Sequence, residues 1–256
     1  LTVSGEKAVL LSYFRNNVLH LTATAAWVAC CFLNNRRMSR ASILRLGRIV
    51  YPFIQAELFL PWDEGGFGRE LRVTIDFFVR RGLLESTGAG RVLERSPGQE
   101  DSAFQLRVIA RGLIQAFERY YITIAALVKN GPRAMTAAQL EKTCTLTAQR
   151  LGLLNELAAP EFFDKALFRG FIQKLRERRV VWTDDEGKLD YLPALEQVVG
   201  DARIILSREV RHSILKITPV GDGTPATEPA SGPVASASAD SGAHEVGRAS
   251  AGKDRQ

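Results

Sequence analysis

The sequence predicts a mainly α-helical protein, a helical bundle built from two winged-helix-like repeats with small β-hairpins and a disordered C-terminal tail. Apolar residues recur at three- and four-residue steps along most of the chain. The interval from Ser39 to Gly82 equals that from Thr136 to Arg179, and each belongs to a unit with the pattern helix, helix, helix and small hairpin. From Thr218 onward Pro, Ala, Ser and Gly dominate, which predicts disorder. We therefore predict three regions: residues 1–98, 99–218 and 219–256.

The first helix is predicted from Lys7 to Asn34, because apolar residues follow the helical period there. Three consecutive polar residues interrupt this apolar pattern, namely Arg15, Asn16 and Asn17. They are candidates for a phosphate or partner contact. The alternative is a hydrogen-bonded cluster that joins neighbouring helices.

The first repeat begins at Ser39, a typical N-cap residue. We expect Pro52 to kink or interrupt the helix that follows, because proline lacks an N–H group. The segment from Asp63 to Gly68 is predicted to form a turn before the next helix. Gly82 suits a helix C-terminus, and residues 83–93 have the pattern of a β-hairpin with a glycine-rich turn.

The second repeat follows the same order. One amphipathic helix is predicted from Phe104 to Lys129. Thr136 and Gln139 have the spacing of a capping box, which starts the next helix, and Pro160 opens another. A second hairpin is predicted over residues 180–192, followed by helical or extended chain up to residue 217.

The net charge of +6 and the pI near 9.4 favour an acidic partner surface, such as nucleic acid, anionic lipid or an acidic protein. A DNA-reading helix, however, would need a basic start. In each repeat, the DNA-reading helix would be the third helix, directly before the hairpin. Both of these helices are preceded by acidic and aromatic residues, at Trp62-Asp-Glu and at Pro160-Glu-Phe-Phe-Asp164. These segments would repel phosphates, so we predict no nucleic-acid partner.

Several functional classes find no support in the sequence. The apolar run from Val18 to Leu33 is polar-interrupted and shorter than the ~20 residues of a membrane span. Three cysteines without a C-x-x-C spacing predict buried thiols rather than a disulfide framework or a zinc site. We predict no cofactor. Since the first residue is leucine and not methionine, we expect the sequence to start inside a longer reading frame or after processing.

Two aromatic-rich blocks contain the remaining candidate residues. The first is Tyr51-Pro-Phe-Ile-Gln-Ala-Glu-Leu-Phe-Leu-Pro-Trp62, and the second, weaker one ends at Lys165. Glu57, Glu161 and Asp164 are possible acid–base residues in these blocks. No spacing pairs them, so we expect them to cap helices or to bind arginine.

Four segments resemble the C-terminal region of bacterial membrane-bound glycerol-3-phosphate acyltransferases of the PlsB type: the block from Tyr51 to Trp62, Leu11-Ser-Tyr-Phe-Arg-Asn-Asn-Val-Leu-His20, Thr147-Ala-Gln-Arg-Leu151 and Ala159-Pro-Glu-Phe-Phe-Asp-Lys-Ala166. The resemblance extends in order from about residue 6 to residue 217. It implies an enzyme that transfers a fatty acyl group from acyl-CoA or acyl-ACP to the 1-position of glycerol 3-phosphate, the first step of phospholipid synthesis. It also implies a location at the cytoplasmic face of the bacterial inner membrane.

The sequence departs from that family in two respects, because it has neither an H-x-x-x-x-D motif nor the arginine-rich block that binds the substrate phosphate in the family. The chemistry of the family depends on an H-x-x-x-x-D motif, in which histidine is the general base. His20, His212 and His244 are followed five residues later by alanine or isoleucine. We therefore expect this chain to be a noncatalytic C-terminal part that is inactive alone, and we assign it no catalytic residue.

Its expected partners are an upstream acyltransferase domain and an anionic membrane surface. The candidate structural or interdomain contacts are Arg15, Asn16, Asn17, Glu57, Trp62, Glu161, Asp164 and Lys165. The alternative hypotheses are a standalone winged-helix regulator or protein-interaction module, and an independent enzyme that uses Glu57 and the polar cluster of the first helix.

Overall fold

The computed structural model describes residues 5–95, 100–154 and 160–220, and within these it is mainly helical. The helices are α1 (Gly5–Cys31), α2 (Arg40–Leu58), α3 (Glu64–Arg80), α4 (Glu100–Ala110), α5 (Ile114–Asn130), α6 (Ala137–Leu154), α7 (Lys165–Glu177), α8 (Ala194–Asp201) and α9 (Arg208–Ile217), with short 3-10 turns at Pro160–Phe163 and Ala202–Ile204. The strands are β1 (Arg37–Ser39), β2 (Leu84–Thr87), β3 (Val92–Arg95), β4 (Val181–Thr183) and β5 (Leu189–Tyr191). Contacts divide the chain into Leu1–Gly223 and Thr224–Gln256. The segment Thr224–Gln256, which is almost all of the predicted tail, lies outside the described residues.

The first winged-helix-like unit consists of α1, β1, α2, α3 and the hairpin β2–β3. The predicted hairpin is confirmed, and Leu84 pairs with Arg95 at its open end. Strand β1, which the sequence pattern does not predict, adds a third antiparallel strand in the order β1-β3-β2. Arg37 pairs with Glu94 in this sheet, both through the backbone register and through an ion pair of 2.9 Å.

The second winged-helix-like unit repeats this order with α5, α6, α7 and the hairpin β4–β5. Val181 pairs with Tyr191 across the hairpin. In place of β1 there is a single bridge between Thr136 and Lys188. The repeat predicted from equal spacing is therefore present, with a smaller sheet in the second unit.

Three helix starts follow the predicted capping chemistry. The Ser39 hydroxyl accepts a hydrogen bond from the Ser42 N–H at 3.0 Å. Thr136 and Gln139 form the reciprocal capping box, with N–H to side-chain distances of 2.8 and 3.3 Å. Asp164 caps α7 by accepting from the Ala166 N–H at 2.8 Å. Each cap satisfies an N–H that the helix itself leaves unpaired.

The prediction of one helix from Phe104 to Lys129 is wrong. Helix α4 ends at Ala110 and helix α5 begins at Ile114, and a turn that includes Gly112 connects them. A Cβ atom at Gly112 would lie 3.2 Å from the Ala26 Cβ of α1. The chain therefore turns where a glycine permits close packing against α1, which the period of apolar residues does not reveal.

Pro52 lies inside α2, which continues to Leu58, so the predicted interruption does not occur, and a kink at Pro52 remains a prediction. The missing N–H leaves the carbonyl of Arg48 without its helical donor. The prediction of a turn from Asp63 to Gly68 is wrong. The segment Asp63–Gly68 is mostly the first turn of α3, because the Asp63 carboxylate accepts from the Gly66 N–H at 2.5 Å.

One hydrophobic core extends through both units. It includes the fully buried residues 26–32, at the end of α1 and directly after it, and Trp27 donates to the Ile43 carbonyl at 3.2 Å. Helix α2 of the first unit packs against α7 of the second. The α2–α7–α5 junction, which we call the seam, positions the site described below. The predicted boundary between residues 98 and 99 remains a prediction.

Candidate functional site

The seam brings together a carboxylate, a guanidinium and a phenol. Arg119 Nη2 donates to Glu57 Oε1, and Tyr120 Oη donates to Glu57 Oε2 at 2.8 Å. The side chains of Glu57 and Arg119 are only 13% and 7% exposed. Burial and the neighbouring carboxylate raise the pKa of Tyr120 well above its usual value, so this phenol remains a hydrogen-bond donor.

Aromatic rings surround this network. Tyr120 stacks on Phe171 of α7 with ring centroids 4.3 Å apart, and Phe53 of α2 packs edge-on against Phe171 at 5.1 Å. These three rings separate two cavities. One cavity, of about 180 Å³, we call the seam cavity; its lining consists of Phe53, Ala56, Glu57, Phe59, Tyr120, Ala166, Leu167, Gly170, Phe171 and Lys174. The other, of about 210 Å³, lies between α2, α5, α7 and α8 and is almost entirely apolar.

The predicted candidates do not all meet at this seam. Arg15, Asn16 and Asn17 lie on α1, and Glu161 lies in a 3-10 turn, but their side chains are outside the described residues. Asp164 caps α7, and Lys165 is an exposed residue of its first turn. Glu57 is therefore the one predicted candidate with a described side chain in the seam network.

Trp62 takes part through its backbone. Its carbonyl accepts hydrogen bonds from the Tyr51 hydroxyl and from Gln55 Nε2, the latter at 2.8 Å. Its ring is half-buried and lies 6.5 Å from the ring of Phe67, which stacks on Tyr51. These contacts attach the segment after α2 to the helix itself and thereby fix how α3 begins.

The sequence pattern does not single out Arg119, Tyr120 or Phe59 as functional residues. Arg119 and the preceding Glu118 are charged residues in an otherwise mostly apolar stretch of α5, and a charged residue needs an opposite charge when it is buried. That signal was present in the sequence, but nothing in it identified Glu57 as the partner, 62 residues away.

The polar groups at the seam are engaged with one another. The Glu57 carboxylate already accepts hydrogen bonds from a guanidinium and a phenol, which occupy both of its oxygens. Within the described residues, no three His, Cys, Asp or Glu side chains come together as metal ligands. Among the described helices, none has both the length and the hydropathy of a membrane span.

Basic residues of α7, the helix equivalent to a DNA-reading helix, and of its C-cap are engaged in ion pairs. Arg169 binds Glu141 through two hydrogen bonds of 2.9 Å. Lys174 pairs with Glu177 at 2.6 Å, and Arg178 with Glu64 at 3.0 Å. These pairs neutralise much of the positive charge that phosphate contacts would require.

Comparisons with known proteins point to one family. Residues 1–184 match the family described as glycerol-3-phosphate acyltransferase C-terminal region. The chain is 60% identical over 221 residues to the glycerol-3-phosphate acyltransferase of Xanthomonas axonopodis, with 86% of this chain and 25% of that protein covered. It is 58% identical over 221 residues to that of Xylella fastidiosa (86% and 26% covered) and 39% identical over 218 residues to that of Ectopseudomonas mendocina (85% and 26% covered). The chain thus spans about a quarter of the length of the curated relatives it matches.

Proposed function

Because the chain belongs to the glycerol-3-phosphate acyltransferase C-terminal family, we propose that it is the noncatalytic C-terminal region of such an enzyme. The intact enzyme transfers an acyl group from acyl-CoA or acyl-ACP to the 1-position of glycerol 3-phosphate and thereby begins phospholipid synthesis. The observation that carries this proposal is the match of residues 1–184 to the family together with coverage of only a quarter of each relative.

The seam supports a structural role for this region. Glu57 is occupied by Arg119 and Tyr120, and none of the three histidines has an aspartate five residues later. An acyl transfer from a thioester to a hydroxyl needs a base that can accept the hydroxyl proton. That base belongs, in this proposal, to an upstream acyltransferase domain on which this region packs.

An anionic membrane surface is the second partner in this proposal, at the cytoplasmic face of the bacterial inner membrane. The net charge of +6 favours anionic lipid. Helix α1 also exposes Phe14, Val18 and Leu21, which follow one another at helical spacing along one face. An exposed apolar stripe of this kind is typical of a contact with lipid or with another domain.

The test compares acylation of radiolabelled glycerol 3-phosphate by two membrane preparations. One carries the 256-residue chain, and the other carries the chain extended upstream to its natural start. We expect activity in the extended chain only. Activity in the 256-residue chain would contradict the noncatalytic assignment, and inactivity of both, with each shown to be expressed and folded, would contradict the acyltransferase assignment.

A further inference from the structure

Phe59 has an unusual combination of conformation and exposure. It ends α2 in the left-handed region, with φ 53° and ψ 44°. Helices commonly end in this conformation with glycine, because a Cβ atom is strained there. The ring is 87% exposed, so burial within this chain offsets almost none of the strain. Leu60, the next residue, is buried and anchors the segment, so the backbone holds the ring outward.

The exposed ring stands beside a concavity. Phe59 itself lines the seam cavity of about 180 Å³, which is reached from the surface past exposed Ala166 and Gly170. A Cβ atom at Gly170 would meet nothing within 4 Å, so α7 leaves open space there. The lining also includes the Glu57 carboxylate and Lys174. An exposed aromatic side chain next to a cavity that is lined by both polar and apolar residues is typical of interface hot spots.

We propose that Phe59 and the seam cavity form the docking surface for the upstream part of the same protein, an inference that rests on the proposed function. The family is a C-terminal region, and about three quarters of each relative lies outside the matched segment. A covalently attached partner has a high effective concentration, so a small hot spot suffices to hold it. A bilayer fits less well, because the cavity lining includes the charged side chains of Glu57 and Lys174, and hydrocarbon offers such groups no hydrogen-bond partners.

The first experiment measures the accessibility of position 59 in the full-length protein. Phe59→Cys and Phe104→Cys each place a thiol at a surface position, and Phe104 is 60% exposed. The native Cys30, Cys31 and Cys144 are buried, so a water-soluble maleimide leaves them unmodified in the folded chain. In the 256-residue chain, both new thiols should react rapidly. In the full-length protein, the thiol at position 59 should react at least about tenfold more slowly, as measured by mass spectrometry of the labelled peptides.

A second substitution tests whether the cavity is the reason for that protection. Gly170→Leu in the Phe59→Cys background fills the cavity entrance while favouring the helix, and Gly170→Ala is the smaller control. Docking in the cavity predicts that Gly170→Leu restores rapid labelling and that Gly170→Ala does not. Equal labelling of positions 59 and 104 in the full-length protein would overturn the proposal. Protection that persists with Gly170→Leu would overturn it too, and so would protection that detergent removes, since a bilayer would then be the occupant.

The labelling rates do not depend on enzymatic activity. If position 59 is protected in the full-length protein but no acyl group is transferred, the docking surface is supported and the proposed enzymatic function is contradicted. If the full-length protein is active and position 59 is unprotected, the proposed function is supported and the docking surface is contradicted.

Discussion

The two winged-helix-like units share an order of elements but differ at equivalent positions. After its third helix, the first unit places Gly82 at φ +71°, and the second places Arg179 at φ +54°. The first unit has three paired strands, whereas the second has a hairpin and a single bridge from Thr136. The left-handed turn between third helix and wing is therefore required by the chain path in both units. Glycine is only the residue that adopts it with least strain.

The units also differ in their leading helices. The end of α1 is apolar on all sides and fully buried. Its counterpart α5 contains Glu118, a largely buried carboxyl, and Arg119, which reaches across to Glu57 of the first unit. The first unit thus contributes most of the apolar centre, and the second contributes buried charge. Four sets of substitutions test this comparison.

The largest effect is expected at the seam. Arg119→Met leaves the buried Glu57 carboxylate without its opposite charge, which should destabilise the 256-residue chain by about 3–5 kcal/mol. The double variant Glu57→Met with Arg119→Met should be more stable than Arg119→Met alone, because no unpaired charge remains. Urea unfolding at neutral pH, followed by circular dichroism, measures both.

Arg178→Met is the matched control for that experiment. It breaks the pair between Arg178 and Glu64, whose side chains are both exposed, and should cost only a small fraction of the free energy lost with Arg119→Met. A double variant less stable than Arg119→Met alone would mean that the seam network contributes more than charge compensation.

Glu118 should make stability depend on pH. Burial raises its pKa from 4.5 to about 7. The folded chain binds a proton at Glu118 more tightly than the unfolded chain does. Protonation of Glu118 therefore contributes to the free energy of unfolding, and this contribution is fully present below about pH 4.5 and is lost as pH rises to about 7. Glu118→Gln should therefore stabilise the chain at pH 8 by about 2–3 kcal/mol. Denaturant unfolding at pH 5 and pH 8 checks this.

Glu196→Gln, at an exposed position of α8, controls for the loss of one charge. The stability difference between pH 5 and pH 8 should decrease with Glu118→Gln and remain unchanged with Glu196→Gln. An equal decrease in both variants would assign the pH dependence to net charge rather than to the buried carboxyl.

Exchanging the residues after the two third helices should have effects of opposite sign. Gly82→Arg should cost about 1–2 kcal/mol, because a side chain is strained at this left-handed position. Arg179→Gly should gain up to about 1 kcal/mol by relieving the same strain. Thermal unfolding midpoints report both.

Gly170→Ala in the right-handed helix α7 is the control, because it replaces a glycine that does not adopt the left-handed conformation. It should stabilise the chain by about 1 kcal/mol, since alanine has the higher helix propensity and its Cβ meets no atom within 4 Å. If Gly82→Arg were also stabilising, the left-handed conformation would not be a shared requirement of the two units.

The smallest effects are expected at the second helices of the units. Ser39→Ala and Thr136→Ala each remove one N-cap and should cost about 1 kcal/mol. Amide hydrogen exchange should increase in the first turn of α2 in one variant and of α6 in the other. Increased exchange in both helices of both variants would indicate that the two units unfold together rather than locally.

Local chemistry explains which predictions from sequence succeeded. The Ser39 cap, the Thr136–Gln139 box and both hairpins depend on residues a few positions apart, and all are confirmed. The apolar faces of α6 and α7 are confirmed for the same reason, since helical spacing alone determines which residues share a face. The resemblance to the acyltransferase family is likewise confirmed.

The errors share a different cause. The break at Gly112 and the strand β1 depend on what α1 and β3 place beside those segments. At the candidate site, the sequence pointed to Glu57 but not to Arg119 or Tyr120. The interdomain roles of the predicted candidates, the domain boundaries and the membrane location remain predictions.

The sequence by itself determined the order of helices and hairpins, the repeat and the family, because periodicity and capping act over a few residues. Only the tertiary structure decided that Glu57 is an ion-pair partner and that Phe59 stands exposed beside a cavity. Both facts depend on α2, α5 and α7 meeting at the seam. The burial of a charge or the exposure of a ring is a property of the packed chain and not of its local pattern.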